Sequence, residues 1–315
     1  MTGRIDIHHH FLPQPYMKEE HERIAGYAHG NMTADRLLSW TARQALDMMD
    51  ANGIDFAVGS VSTPGPWFGD VAAARRLCRG WNEVAAQTVR DHKTRFGFFA
   101  TVAPPDAEGA LQEIEYGLDT LGADGIGLLS NYDGKSLGDP SFAPVFEELN
   151  RRKALVYVHP TMHKNCVGLI PGLIPQGIEF PLDTTRTITS LLATGRLARC
   201  PDIRFIFSHG GGTLPFLAAR ITGALTRHKE FAANNPKGVA AAMSSLYCDT
   251  ASAVSTPQLA AMFAFFDPTH ILFGSDYPFI VPDHEIEELG HYPMTPAMRA
   301  AIDRENALLL LPRLK

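Results

Sequence analysis

Ile5-Asp6-Ile7-His8-His9-His10, Val156-Tyr157-Val158-His159-Pro160, Phe207-Ser208-His209-Gly210-Gly211-Gly212 and Phe273-Gly274-Ser275-Asp276-Tyr277-Pro278 follow one pattern. Each is a short apolar run of β character that stops on a histidine or an aspartate. Residues at the carboxyl ends of parallel barrel strands gather at one mouth. These stretches, remote along the chain, therefore predict side chains that meet in space.

Outward from them, apolar runs at Arg4–His8, Phe56–Val61, Phe96–Ala103, Gly125–Leu129, Leu155–His159, Arg204–Ser208, Leu246–Asp249 and Ile271–Gly274 alternate with helical patterns. The helical patterns cover Ala34–Ala51, Val71–Asp91, Asp106–Leu121, Pro140–Arg151, Thr184–Thr194, Pro215–Ala224, Thr256–Phe266 and Pro296–Leu311. Strand-helix alternation implies parallel strands joined by crossover helices, and eight strands close a barrel. The predicted fold class is α/β, a (β/α)8 TIM barrel. A doubly wound open sheet is the competitor, but it does not easily bring the ends of strands one, five, six and eight to one point.

Helix punctuation agrees. Thr33, Asp106, Asp139 and Thr295 stand where N-caps belong, the last two directly before proline, and Gly122 stands as a C-terminal stop. The connections 11–33 and 161–183 exceed the roughly 12–15 residues beyond which loops are often functional. Both follow strands expected to carry ligands, so both are expected to cover the site. With no repeat, low-complexity tract or linker, residues 1–315 are expected to be one barrel domain.

Composition excludes several classes. The chain has 315 residues, 45% of them hydrophobic, and a net charge of −6. No basic stripe is present, so no nucleic-acid partner is expected. No apolar run approaches the ~18 residues of a membrane span, and Met1-Thr2-Gly3-Arg4 leads straight into the first strand, so a cytoplasmic location is expected. Cys78, Cys166, Cys200 and Cys248 are scattered, with no CxxC pair and no sign of a disulfide framework.

His8 and His10 are two apart, so on a strand they share a face and can hold one divalent ion; His9 is expected to point the other way. With His159 and Asp276 they give three nitrogens and one carboxylate. That set suits Zn2+, with Mn2+ or iron as alternatives. His209, followed by three glycines, is expected to act as acid or base beside the ion rather than as a further ligand. No lysine ends a mid-barrel strand, where a carbamylated bridge between two ions would require one, so one metal ion is expected. Phe11, Trp67 and Phe279, near strand ends one, two and eight, are candidates to shape the pocket, and Asp249 is a candidate to hold a ligating imidazole by its second nitrogen.

Together these residues resemble the decarboxylase branch of the amidohydrolase superfamily, which includes amino-carboxymuconate-semialdehyde decarboxylase and several aromatic-acid decarboxylases. The likeness runs almost end to end. It covers the opening Ile5-Asp6-Ile7-His8-x-His10-x-x-Pro13, Met49-Asp50-Ala51-Asn52-Gly53-Ile54-Asp55, His159-Pro160, His209-Gly210-Gly211-Gly212 with Pro215-Phe216 and Arg220-Ile221, and Gly274 to Phe279. It implies Zn2+ or Mn2+ on His8, His10, His159 and Asp276. It also implies that His209 acts on the bound water or substrate, and that Arg220 reaches a substrate carboxylate across a homodimer interface. The implied reaction is non-oxidative decarboxylation of a small aromatic, hydroxybenzoate-like or unsaturated carboxylic acid. Either Asp276 or His209 would deliver the proton. The same site would also suit a metal-dependent hydrolase or hydratase acting on a lactone, ester, C–C bond or double bond, and a barrel that binds without turnover is the third reading.

Overall fold

The structure, a computed structural model, describes residues 3–19, 21–22, 39–166 and 168–314. Its main sheet runs in chain order through β1 (Arg4–His10), β2 (Ile54–Ser60), β3 (Phe96–Thr101), β4 (Gly125–Leu129), β5 (Leu155–His159), β6 (Arg204–Phe207), β7 (Tyr247–Asp249) and β8 (Ile271–Leu272), all parallel. The last strand returns to the first: Ile7 N donates to Phe273 O at 3.0 Å and His10 N to Tyr277 O at 2.8 Å. The sheet thus curls into the (β/α)8 barrel, and no predicted strand end is displaced by more than two residues.

Val71–Asp91 is helical with the predicted ends, capped by Asp70, whose side chain accepts from Ala73 N. Asp106, Asp139 and Thr295 cap as expected, each accepting a backbone N–H two or three residues on. Thr33 and the expected helix start at Ala34 lie outside the described residues; the described helix is Ala42–Ala51, capped by Thr41. Two predicted helices are interrupted by π-turns, at Tyr116–Thr120 and Ala301–Glu305. At the first, the helix comes so close to β3 that a Cβ on Gly117 would lie 2.6 Å from Ala100 Cβ. The helix after β5 begins at Glu179, earlier than the predicted Thr184. Pro181 reads as a loop residue in sequence, but in a first helical turn its missing N–H forfeits no bond.

The core has two layers. Inside the barrel, Ile5, Ile7, Val58, Phe99, Leu155 and Ile206 pack together, and Leu310 and Leu311 join them from the C-terminal segment. Between strands and helices lies a larger layer that includes Phe96, Phe98, Val156 and Phe207. The pairing of β1 with β2 shifts register between Asp6 and His9. Such a bulge breaks the two-residue alternation. It lets Ile5 and Ile7 fill the barrel while His8 and His10, out of phase with them, also face inward.

Candidate active site

Each expected ligand, like His209, lies in the closing residues of a strand or in the turn that follows one. His8 and His10 end β1, and His159 ends β5. His209 and Asp276 lie just past β6 and β8 in the left-handed region, with φ of 55° and 58°. Backbone bonds hold both there: His209 N donates to Asp249 Oδ1 at 3.0 Å, and Asp276 N to His8 O at 2.8 Å. Gly212 (φ +69°) closes the turn after His209. A Cβ on it would lie 2.3 Å from Pro181 O, so only glycine fits without displacing the 179–193 helix.

The side chains converge. His8 Nε2 lies 3.1 Å from His10 Nε2 and 3.2 Å from Asp276 Oδ1, and His10 Nε2 lies 3.1 Å from the same oxygen. The His159 ring centre is 4.8 Å from that of His10 and 5.3 Å from that of His8. His209 Nε2 is 3.3 Å from Asp276 Oδ2. Among the described residues, His8, His159, His209 and Asp276 each offer a donor atom within 4.8 Å of the others. The geometry therefore gathers five candidate donors, His209 included.

The outer nitrogens are committed elsewhere. His159 Nδ1 donates to Pro160 O at 2.8 Å, His10 Nδ1 faces Ser60 O at 3.2 Å, and His8 Nδ1 lies 3.0 Å from Asp249 Oδ2. In the neutral rings each inner Nε2 would carry a lone pair, and those of His8, His10 and His209 lie 3.2, 3.1 and 3.3 Å from the Asp276 carboxylate. Lone pairs and a negative charge crowded together repel unless a cation lies between them, and this donor set fits one divalent ion. Asp249 is the hub of the supporting layer, since it also accepts from Tyr157 OH at 3.2 Å and from Ala251 N at 3.1 Å. Behind β1, Asp6 takes Ser275 Oγ at 2.6 Å, Ser275 N at 3.0 Å and His9 Nδ1 at 3.1 Å, which ties β8 to β1 on the far side of the ligands. Tyr157 was not singled out in the sequence, although its place two residues before His159 was a usable signal.

Electrostatics in the cluster are sharply divided. Burial disfavours the charged His8 imidazolium, but Asp249 and Asp276 outweigh it and raise the pKa to about 10, so a divalent ion would bind His8 by displacing a proton that otherwise balances the carboxylates. Burial lowers His10 and takes His159 well below the usual histidine range, with neighbouring imidazoles adding to the shift in both. Burial alone would raise Asp276; His8, His10 and His209 instead hold it well below the usual carboxylate range.

The model of the amidohydrolase family matches residues 5–313. The chain belongs to the amidohydrolase family. A 6-methylsalicylic acid decarboxylase from Penicillium expansum is 36% identical to it, over 99% of this chain and 97% of the relative. A 2-amino-3-carboxymuconate-6-semialdehyde decarboxylase from Dictyostelium discoideum is 28% identical over 93% of this chain and 87% of the relative. The solved 5-carboxyvanillate decarboxylase of Novosphingobium aromaticivorans, complexed with manganese and 4-hydroxy-3-methoxy-5-nitrobenzoic acid, shares the fold with a TM-score of 0.84 at 21% identity, over 98% of this chain and 96% of that one.

In this amidohydrolase the cluster forms one wall of a cavity of about 650 Å³ whose other walls are mostly apolar, among them Phe180, Met262, Phe279 and Ile280. Loop 161–183 contributes Ile174, Gln176, Gly177, Phe180 and Pro181. The described part of 11–33 does not line the cavity, and the remainder lies outside the described residues. Of the expected pocket residues, Phe279 lines it, with its ring 5.1 Å from that of His10. Phe11 is elsewhere, buried among Trp40, Trp81 and Phe96, because the chain leaving β1 turns its ring outward under the 71–91 helix. Trp67 packs on Ala74, Cys78 and Ala103, away from the cavity. Arg220 is exposed on the 214–226 helix and does not line this chain's own cavity. No lysine or arginine lines it among the described residues.

Proposed function

We propose that the protein is a carboxy-lyase that removes CO2 without oxidation from a small hydroxybenzoate-like acid. In this reading one divalent ion sits on His8, His10, His159 and Asp276. The observation that carries it is the convergence of imidazole lone pairs and one carboxylate on the wall of a ring-sized apolar cavity that lacks a cationic side chain. A carboxylate entering that cavity finds its countercharge at the cluster and nowhere else among the described lining residues. When bound, the ion supplies a Lewis-acid charge that can hold the carboxylate and a neighbouring hydroxyl oxygen.

The chain's own groups have three tasks. Phe180, Met262 and Phe279 enclose the ring and keep water from it. Either His209 or Asp276, 3.3 Å apart, delivers the proton that the ring carbon must take up. Protonation of that carbon creates the electron sink. The bond to the carboxylate then breaks, its pair restores the aromatic ring, and CO2 leaves, so that an arylcarboxylate and one proton give the arene and CO2. Asp249 keeps His8 oriented throughout.

Zinc as the ion, a homodimer as the assembly and the cytoplasm as the location complete the reading. Zinc accords with the nitrogen-rich donor set. The dimer accords with the exposed apolar rim of Leu169, Ile170, Leu173, Phe216 and Val281, with Arg220 one helical turn beyond Phe216. Among the described residues no helix is long and apolar enough to cross a membrane.

The relative's substrate, 6-methylsalicylic acid, is the first acid to try. Metal-loaded protein incubated with it in D2O is expected to release CO2 and to place deuterium on the carbon that bore the carboxylate. A ring-opened or hydrated product without CO2 would replace this reading by the hydrolase or hydratase one.

A further inference from the structure

A second cavity, of about 440 Å³, opens at the opposite end of the barrel. Arg204 begins β6, Tyr247 begins β7 and His270 immediately precedes β8, so the starts of three adjoining strands all line it. Its apolar walls include Leu197, Ile203, Phe205 and Leu246. The Tyr247 and His270 rings lie face to face, 4.1 Å apart at 30°, which fixes the Tyr247 ring in the wall.

Its charge is one-sided. Arg204 and Lys237 line it and, among the described residues, no carboxylate does. Neither cation has an ion pair or a side-chain hydrogen bond among the described residues, although the whole chain carries a net charge of −6. Asp267, the acid whose charge reaches Tyr247, is occupied in its own turn, where its Oδ1 accepts Thr269 N at 2.9 Å and Thr269 Oγ1 at 2.7 Å. Arg204 is half-buried in the cavity wall. Asn235, also in the lining, spends Nδ2 on Leu192 O and Phe231 O at 2.9 Å each, while its buried Oδ1 and the buried Nδ1 of His270 have no partner.

We propose that this cavity is a second small-molecule site, which takes a carboxylic acid on an apolar, ring-sized body, with the carboxylate on Arg204 and the ring against Tyr247. A guanidinium matches a carboxylate in a two-bond fork. The volume falls within the ~300–1,000 Å³ of small-molecule pockets. Arg204 and His209 are separated by the length of β6 and its turn, roughly 15 Å at about 3.3 Å per residue. One small acid therefore cannot serve both cavities, and the site adds a second equivalent.

Salicylate is the probe, titrated calorimetrically into the full-length, metal-loaded protein, with phenol as the uncharged control. The wild type is expected to bind two equivalents of salicylate per chain. Phe279→Trp, which crowds the catalytic cavity, removes one. Arg204→Gln removes the other and leaves turnover of the decarboxylation substrate unchanged. Ser245→Trp, which plugs the cavity mouth without altering charge, removes the same equivalent, so a folding defect in one variant does not decide the matter. A second equivalent that survives both Arg204→Gln and Ser245→Trp overturns the proposal, as does a wild type whose single equivalent is lost in Phe279→Trp. Phenol binding as tightly as salicylate at this site overturns the carboxylate assignment. A single equivalent removed by Arg204→Gln but not by Phe279→Trp upholds this site and counts instead against the proposed function.

Discussion

His209 and Asp276 hold the backbone in a region that non-glycine residues rarely adopt, at a cost of about 1–3 kcal/mol each. The strain persists because Asp249 takes the His209 N–H and the carbonyl of His8 takes the Asp276 N–H, so supporting atoms and reacting atoms are specified together. His209→Asn tests the proton role without disturbing the turn, since asparagine tolerates positive φ. It is expected to lower turnover at least ~100-fold while metal content, read by elemental analysis, stays near wild type. His159→Ala is expected to lose metal and turnover together. If His209→Asn loses its metal as well, His209 is a ligand rather than a proton carrier, an arrangement its distance to the cluster permits. Asp249→Asn weakens the acceptor that orients His8 and is expected to reduce metal affinity ~10–100-fold, measured by competition with a chelator.

Between residues and barrel lie the turns that fix cavity walls. Ser252 lines the cavity at φ 54°; its N–H is held by Glu285 Oε1 at 2.7 Å and its carbonyl by Gln258 Nε2 at 3.2 Å. Glu285 lies on the 283–291 helix, and burial, aided by the charge of Asp276, raises its pKa to about 8. The folded protein therefore keeps a proton that the unfolded chain has lost between the ordinary value near 4.5 and about 8. This group's share of stability is complete below about 4.5 and falls as pH rises through about 8. Glu285→Gln retains a carbonyl acceptor for Ser252 and carries no charge. Its stability, read by thermal melting, is expected to match the wild type near pH 5 and to exceed it at pH 9, by about a few kcal/mol at most. Parallel curves across that range would mean that Glu285 does not titrate there.

The elements themselves were legible because strand ends, caps and helix periods are local signals. Val71–Asp91, β4 and β5 came out residue for residue. What local signals could not carry was phase and distant contact. The His8-x-His10 spacing named the right pair, but alternation from Ile5 and Ile7 would turn His9 inward; the bulge between Asp6 and His9, set by pairing with β2, reconciles the two. Phe11, Trp67 and Phe279 all stood near strand ends in sequence, but of these only Phe279 lines the cavity, and Phe180, at the start of the 179–193 helix, joins it. Nothing around Glu285 advertised a link to Ser252 some thirty residues earlier.

At the scale of the whole barrel, the seam between β8 and β1 is both the closing joint and the metal cluster. β8 is short, and Gly274 allows it to approach β1 so closely that a Cβ there would lie 2.7 Å from His8 Cβ. Backbone bonds cross the joint from Ile7 N to Phe273 O, from His10 N to Tyr277 O and from Ser275 N and Asp276 N to His8 O, and side chains add to them: Asp6 with Ser275 on one side, His8 and His10 with Asp276 on the other. A cation on those groups therefore ties the first strand to the last. An ion at ~1,000 times its dissociation constant adds about 4 kcal/mol to the native state, and here the added stability is concentrated at one joint. Chelator-treated protein is expected to melt several degrees lower. In hydrogen exchange it is expected to lose protection at Ile7, His10 and Asp276, while the β3–β4 pairing of Phe99, Ala100 and Thr101 with Gly125, Ile126 and Gly127 keeps its protection. Gly274→Ala is expected to mimic this locally even with metal supplied. Protection lost evenly around the barrel, or an unchanged melting temperature after complete metal removal, would show that the seam holds without the ion.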